Sequence, residues 1–231
     1  MAETVEVAPA EATREVGQTV QLTATVKDVG GQVLTKAVFW SSSRVAAATV
    51  NQQGLVTGVG DGVANITATV DGKSGTAEVT ILGPCSTALA PAITIGQTVN
   101  GSLATTDCRL DDGSYADGYA ITVTTATPVR IDLTSAVFDT WLVLFELLPN
   151  GSLVEHAVND DVDQTTTNSR ISFTLQPGVA YFILANSFDP GVTGAYQLTV
   201  AQGSMVAGRV AGVLKPGKAP ASVLLRAIRP H

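Results

Sequence analysis

Charged side chains are scarce in this sequence, and so are aromatic ones. Only 14% of the 231 residues are charged, and only 5% are Phe, Trp or Tyr. The 20 acidic residues outnumber the 13 basic ones, which gives a formal net charge of −7. Because a surface of that sign repels nucleic acid phosphates, we predict no nucleic acid partner.

Long apolar runs are absent as well. No stretch approaches the roughly 18 uninterrupted apolar residues of a transmembrane helix, so no membrane span is predicted. The first ten residues, MAETVEVAPA, lack the basic start and apolar core of a secretory signal. We therefore expect either that a signal has been removed or that the chain is a monomeric part of a longer multidomain protein.

Residues for catalysis are also few. The two histidines, His156 and His231, lie neither in a zinc-protease spacing nor beside a nucleophile motif, and no glycine-rich phosphate loop occurs. Carboxylate pairs are plentiful, but glycoside hydrolysis needs two carboxylates that face each other across a cleft, which a small sandwich seldom provides. We predict that the chain is not an enzyme.

The two cysteines are Cys85 and Cys108. They are either two unpaired thiols or a disulfide, since a zinc site would lack ligands with no histidine nearby. We favour the disulfide, which would close a loop of about 24 residues and imply an oxidising compartment.

The residues that are abundant, Thr, Val, Ala and Gly, favour short β-strands joined by tight turns. Apolar and polar residues alternate with period two in residues 18–26, 66–70 and 77–81, whereas helical periodicity is absent. The Leu82-Gly83-Pro84 sequence interrupts the strand pattern. We predict an all-β chain with domains at 1–82 and 83–202, followed by a tail or a fragment of a further module at 203–231.

The first segment resembles the bacterial Ig-like domain, group 2, from about residue 4 to residue 82. The matching landmarks are residues 17–24 (GQTVQLTA), 39–42 (FWSS), 48–50 (ATV), 54–59 (GLVTGV) and 75–80 (GTAEVT). The resemblance implies an Ig-like sandwich with Trp40 in its core. It also implies a surface or secreted module that serves as a spacer and sometimes in adhesion.

The second segment resembles the bacterial pre-peptidase C-terminal domain, a sandwich appended to secreted peptidases and found in other extracellular proteins. The matching residues are 101–103 (GSL), 117–119 (DGY), 138–140 (FDT) with Leu142, 159–161 (NDD), Gly178 with 181–183 (YFI), and 194–198 (GAYQL). We expect two β-sandwiches in tandem, the first Ig-like and the second jelly-roll-like. Nothing upstream in the chain could be the peptidase that this module usually follows.

Acidic residues concentrate in the second segment, where residues 83–201 carry 12 acidic and 3 basic side chains, a formal −9. A run from Trp141 to Leu148 predicts a strand buried on both faces, or on one face against an aromatic-rich partner. A turn at 149–151 leads into a second strand that ends in acidic residues. Ca²⁺ binds carboxylate and amide oxygens, and the candidate ligands are Asp117, Asp139, Asn159, Asp160, Asp161 and Asp163. The alternative is that Asn159 and Asp160 cap backbone N–H groups in a turn and that the other carboxylates are solvated.

These patterns predict a non-catalytic module at the cell surface or outside the cell, which binds polysaccharide or a surface protein and carries a candidate calcium site. If the ligand is a sugar, exposed aromatic rings should stack on it, and the candidates are Tyr115, Tyr181 and Phe188. The alternative function is an accessory region of a secreted peptidase or other hydrolase that aids its folding or stability.

Overall fold

The computed structural model describes residues 1–204, which are all-β apart from one short 3-10 turn. They divide into two compact units, the first ending at Gly83 and the second beginning at Pro84. No helix among these residues is long and apolar enough to cross a membrane. The tail predicted at 203–231 lies, from residue 205 onward, outside the described residues.

The first unit has ten strands in three small sheets. In chain order the strands are β1 (Thr4–Ala8), β2 (Glu11–Glu15), β3 (Thr19–Gln21), β4 (Thr23–Lys27), β5 (Val33–Leu34), β6 (Phe39–Ser42), β7 (Ala48–Val50), β8 (Leu55–Gly58), β9 (Gly62–Val70) and β10 (Lys73–Leu82). The sheet orders are β2-β10-β9-β6, β1-β4-β5 and β3-β8-β7. Strand β2 runs parallel to β10, and the other pairs are antiparallel.

The alternating segment 18–26 forms two strands rather than one. Strand β3 pairs with β8, whereas β4 pairs with β1, so the chain changes sheets at Leu22. The N–H group of Leu22 donates a hydrogen bond to the carbonyl of Gly54 at 2.9 Å instead of joining either ladder. The apolar positions Val20, Leu22 and Val26 nevertheless all face the core. The predicted alternation of buried and exposed residues is therefore present, although the segment forms two strands.

Trp40 is buried, as predicted, with 5% of its surface exposed. Gly54 makes room for the indole, because a Cβ at Gly54 would lie only 3.0 Å from Trp40 Cζ2 and would clash with the Leu22 carbonyl oxygen. The side chain of Gln52 holds the same residue from the backbone side, accepting from Trp40 N and donating to Trp40 O at 3.2 Å each.

The second unit has nine strands in two sheets. They are β11 (Thr98–Leu103), β12 (Cys108–Arg109), β13 (Tyr115–Ile121), β14 (Thr127–Thr134), β15 (Thr140–Leu147), β16 (Leu153–Asn159), β17 (Ser169–Leu175), β18 (Tyr181–Ser187) and β19 (Gly194–Gln202). The sheet orders are β11-β19-β14-β17 and β12-β13-β18-β15-β16, with antiparallel neighbours throughout. Apart from the two-residue strand β12, this order is that of a jelly roll, and it confirms the predicted architecture of two sandwiches in tandem.

Strand β15, inside the five-stranded sheet, is buried on both faces. Leu142 and Leu144 of β15 point into the core between the two sheets. Trp141, Val143 and Phe145 point to the opposite face, where they join a second apolar cluster. The structure therefore selects the first of the two arrangements predicted for the run from 141 to 148.

The beginning of the second unit covers part of that outer face. Cys85 and Ala90 pack against the outer cluster, on either side of a 3-10 turn at Thr87–Leu89. A disulfide joins Cys85 to Cys108 with an S–S distance of 2.08 Å. The segment is thus covalently attached to the edge strand β12.

Candidate metal centre

Several chain reversals meet at one end of the jelly roll. Strand β15 starts there at Thr140, β16 ends there at Asn159, and β17 starts there at Ser169, because Leu142 pairs with Asn159 and Leu133 with Ser169. This end is rich in buried polar side chains. In the described part of the chain the buried polar residues are Ser114, Thr140, Asn159, Asp160, Asp161, Ser169, Asn186 and Ser187.

Three carboxylates converge at this end. Asp139, Asp160 and Asp161 each place an oxygen so that all three lie within 4.8 Å of one another. Asp160 is fully buried, Asp161 is 6% exposed and Asp139 is partly buried. Two of the carboxylates come from adjacent residues after β16 and the third comes from just before β15, so the hairpin brings its two ends to one point.

Hydrogen bonds fix the backbone around the cluster. Asn159 Oδ1 accepts from the Arg170 N–H at 2.6 Å, and its Nδ2 donates to the Asp161 carbonyl at 3.0 Å. The Ser169 hydroxyl donates to the Asp160 carbonyl at 2.6 Å and lies 2.7 Å from the Thr140 hydroxyl. Sequence reasoning did not single out Ser169, and it included Thr140 only as part of the landmark at 138–140, since hydroxyls at strand ends are too common to be a signal.

Asp163 lies outside the cluster, although it was a candidate ligand. Its Oδ1 accepts from both the N–H and the hydroxyl of Thr165, at 2.8 and 2.6 Å. These hydrogen bonds lower the pKa of the exposed carboxyl. Asp163 therefore caps a turn.

Asp117 is also separate from the cluster, and the sheet order is the reason. Asp117 pairs with Ala185, Ala185 with Leu142, and Leu142 with Asn159. Three strand spacings of about 4.8 Å put roughly 14 Å between Asp117 and Asn159. The structure therefore does not bring Asp117 together with the other candidate ligands.

Asp117 instead accepts a hydrogen bond of 2.6 Å from the Tyr196 hydroxyl, which also contacts the Tyr119 hydroxyl. Burial raises the pKa of Asp117, although the hydrogen bond from Tyr196 acts in the opposite direction. Burial, followed by the hydrogen bond to Asp117, raises the pKa of Tyr196 far above its ordinary value. The hydroxyl therefore stays protonated and donates to the carboxylate.

The three aromatic candidates differ in exposure. Tyr181 is buried, with its ring against Phe173 and His156, so the prediction that it is exposed is wrong. Phe188 is partly buried and contacts Trp141 with ring centroids 5.9 Å apart, and Tyr115 is also partly buried. Tyr115 is the first residue of β13, and Phe188 directly follows the last residue of β18. Both therefore lie at the end of the sandwich that carries the aspartate cluster.

His156 forms a pair with Glu146. Its Nε2 lies 2.9 Å from Glu146 Oε2, and its ring contacts Phe173. A register shift between Leu144 and Phe145 makes His156 the extra residue of a β-bulge in β16. Both side chains of the pair are about 30% exposed.

Residues 1–81 match the family model of the bacterial Ig-like domain (group 2). No curated protein sequence matches the chain.

Among solved structures, the pre-peptidase C-terminal domain of a collagenase from Bacillus anthracis is 23% identical over 48% of this chain and 93% of that chain, with a TM-score of 0.37. Domains 4 and 5 of the S-layer protein SbsC are 26% identical over 36% and 53%, with a TM-score of 0.34. Domains 5–6 of the same protein are 16% identical over 83% and 99%, with a TM-score of 0.33.

Proposed function

We propose that this protein, whose residues 1–81 match the bacterial Ig-like domain, is a non-catalytic module that works outside the cell or on its surface. In this proposal the first domain is a spacer and the second domain carries a calcium-stabilised binding surface. The disulfide between Cys85 and Cys108 supports an oxidising, extracellular compartment.

The observation that carries the calcium proposal is the convergence of Asp139, Asp160 and Asp161 within 4.8 Å. Three ionised carboxylates this close repel one another, and burial weakens the screening by water. A divalent cation reverses the sign of that interaction. Ca²⁺ is the best candidate because it takes oxygen ligands in flexible geometry, whereas Mg²⁺ demands a near-octahedral site and keeps several waters.

The proposed binding surface is the end of the jelly roll that surrounds this cluster. Tyr115 and Phe188 lie at that end and are only partly buried, and in this proposal the exposed part of each ring stacks on a sugar. We infer that the ligand is a polysaccharide and that bound calcium fixes the loops that present these rings. A surface protein is the other class of ligand and is an outcome of the test below.

The test is retention of the whole chain on insoluble cell-wall polysaccharide, measured in millimolar calcium and again with chelator. Phe188→Ala should lower retention in calcium. Phe39→Ala is the matched control, since Phe39 is 63% exposed but lies in the first domain, and it should retain wild-type binding. Retention that changes neither on removal of calcium nor in the Phe188→Ala variant would contradict the proposal.

A different result would favour other partners. Retention on surface protein but not on polysaccharide would change the ligand class and keep the surface. Retention on neither, in a chain that calcium still stabilises, would favour the alternative of an accessory region that supports the folding of a secreted hydrolase.

A further inference from the structure

A cleft lies on the outer face of the five-stranded sheet, apart from the aspartate cluster. It encloses about 170 Å³ between the segment that begins at Pro84 and strands β13 and β18. For comparison, an apolar cavity of about 150 Å³ holds a benzene molecule. The cleft therefore has room for a group of roughly six non-hydrogen atoms.

One wall of the cleft is apolar. Ala116, Phe182 and Leu184 line the cleft and are buried. Leu89 also lines it and is 39% exposed, so it belongs to the rim. A Cβ at Gly118 would clash with the tip of the Phe182 ring, so the bare backbone of Gly118 is what lets this ring lie across β13.

Two carboxylates supply the charge of the cleft. Asp107 and Asp117 both line it, and its lining includes no lysine, arginine or histidine. Each carboxylate is already held in place, since Asp107 Oδ2 accepts from the Ala104 N–H at 2.6 Å and Asp117 accepts from Tyr196 at 2.6 Å. The negative charge of Asp107 also contributes to the raised pKa of Asp117, after the larger effect of burial. A cation bound between the two carboxylates would lower the pKa of Asp117 again, because an opposite charge favours the ionised form.

We propose that this cleft binds an alkylammonium group, which is the end of a lysine side chain or of a free aliphatic amine. The ammonium lies at Asp107 and Asp117, and the aliphatic stem lies along Phe182 and Leu89. The combination of fixed carboxylates, an apolar wall and a volume near that of a butylammonium ion carries the proposal. It requires neither calcium nor the polysaccharide surface, because none of the three clustered aspartates lines the cleft.

The first measurement compares amines of different length. The whole chain is titrated with methylamine and with butylamine at neutral pH, in millimolar calcium and at constant ionic strength, and binding is followed by NMR shifts of the Gly118 and Phe182 amides. Each added methylene that contacts the wall should tighten binding by roughly fourfold. Butylamine should therefore bind at least about tenfold more tightly than methylamine.

The second measurement uses variants that change either the charge of the cleft or its apolar wall. Asp117→Asn removes one charge but keeps an acceptor for Tyr196, and it should weaken butylamine binding about tenfold or more. Asp111→Asn removes the same formal charge from an exposed residue that does not line the cleft, and it should leave binding unchanged. Leu89→Ser should weaken butylamine but not methylamine. If Asp117→Asn fails to fold, Asp107→Asn provides the same test, since its amide oxygen still accepts from Ala104.

The sources of the group are separated by adding Nα-acetyl-lysine amide to the series. Tighter binding of this compound than of butylamine assigns the cleft to lysine on a protein, and the reverse assigns it to free amines. Equal affinity for methylamine and butylamine would overturn the proposal, and so would equal weakening by Asp111→Asn and Asp117→Asn. A lack of saturable binding would overturn it too, while leaving the calcium proposal untouched.

Discussion

Calcium should raise the melting temperature of the second domain, and Asp160→Asn should abolish this increase. Asp160 is the appropriate residue because it is fully buried and its oxygen is one of the three that converge. The three oxygens lie within 4.8 Å of one another, and at that outer limit two unit charges repel by about 3.5 kcal/mol if the effective dielectric constant is about 20. Asparagine has nearly the same shape as aspartate, so the substitution removes charge with little change in packing.

The size of the effect follows from linkage. An ion that binds only the folded state and is present at a hundred times its dissociation constant adds about 2.7 kcal/mol to the free energy of unfolding. For a domain of this size, each kcal/mol shifts the melting temperature by roughly 4 °C. The calcium-loaded domain should therefore melt roughly 10 °C above the chelated one.

The assay is differential scanning calorimetry of the whole chain in millimolar CaCl₂ and in EGTA, with MgCl₂ as the ionic control. In EGTA the Asp160→Asn variant should melt above the wild type, because one repelling charge is gone. Asp163→Asn is the matched control, since it removes the same charge from an exposed position in the same loop, and it should keep the full calcium shift. Coincident melts with and without calcium would refute the reasoning, and so would loss of the shift in Asp163→Asn.

Three other predictions concern stability. Trp40→Ala should lower the free energy of unfolding of the first domain by about 3–5 kcal/mol, which denaturant titration would detect; a change below about 1 kcal/mol would mean that the indole is not a core group. Replacing Cys85 and Cys108 together by serine should cost the second domain roughly 3 kcal/mol, and alkylation of the native protein by a thiol reagent would contradict the bond itself. Asp117→Asn should stabilise the second domain near pH 7 and have less effect near pH 3. The reason is that a raised pKa in the folded state makes wild-type stability fall as pH rises through that pKa. Urea titrations at the two pH values measure this, and a benefit that grows toward acid would have the wrong sign.

Sequence patterns predicted the hairpin of β15 and β16 because an apolar run, a turn at 149–151 and a second strand are local features. Strand β11 was not predicted, since Asn100-Gly101 is typical of a turn. Position 101 requires glycine because a Cβ there would clash with the Tyr196 side chain. This contact joins β11 to β19, which are neighbours in the sheet but the first and last strands of the second unit along the chain. Such a requirement depends on the tertiary fold and leaves no trace in the local pattern.

The aspartate cluster was predictable in part for the same reason. Asp160 and Asp161 are adjacent, and Asp139 lies at the other end of the same hairpin, so local pairing suffices to bring them together. The place of Asp117 depends on which strand separates β13 from β15, and the sequence does not encode that order locally. The position of Asp163 outside the cluster was not predictable for another reason, since a capping carboxylate and a ligating carboxylate are identical in sequence and differ only in what lies within about 3 Å.

The disulfide has a mechanical consequence if the protein carries tension at a cell surface. A pull entering the second domain from its N-terminal side passes through the covalent bond from Cys85 to Cys108 and so skips the residues between them. Roughly 80 Å of contour length is thereby withheld from extension, at about 3.5 Å per residue over the closed loop. The load reaches the β-sheet at the edge strand β12 with the segment over the outer core still in place. In a reducing environment the bond would be lost, and the segment between Cys85 and Cys108 would become extensible and would be the first to detach from the sheet under load.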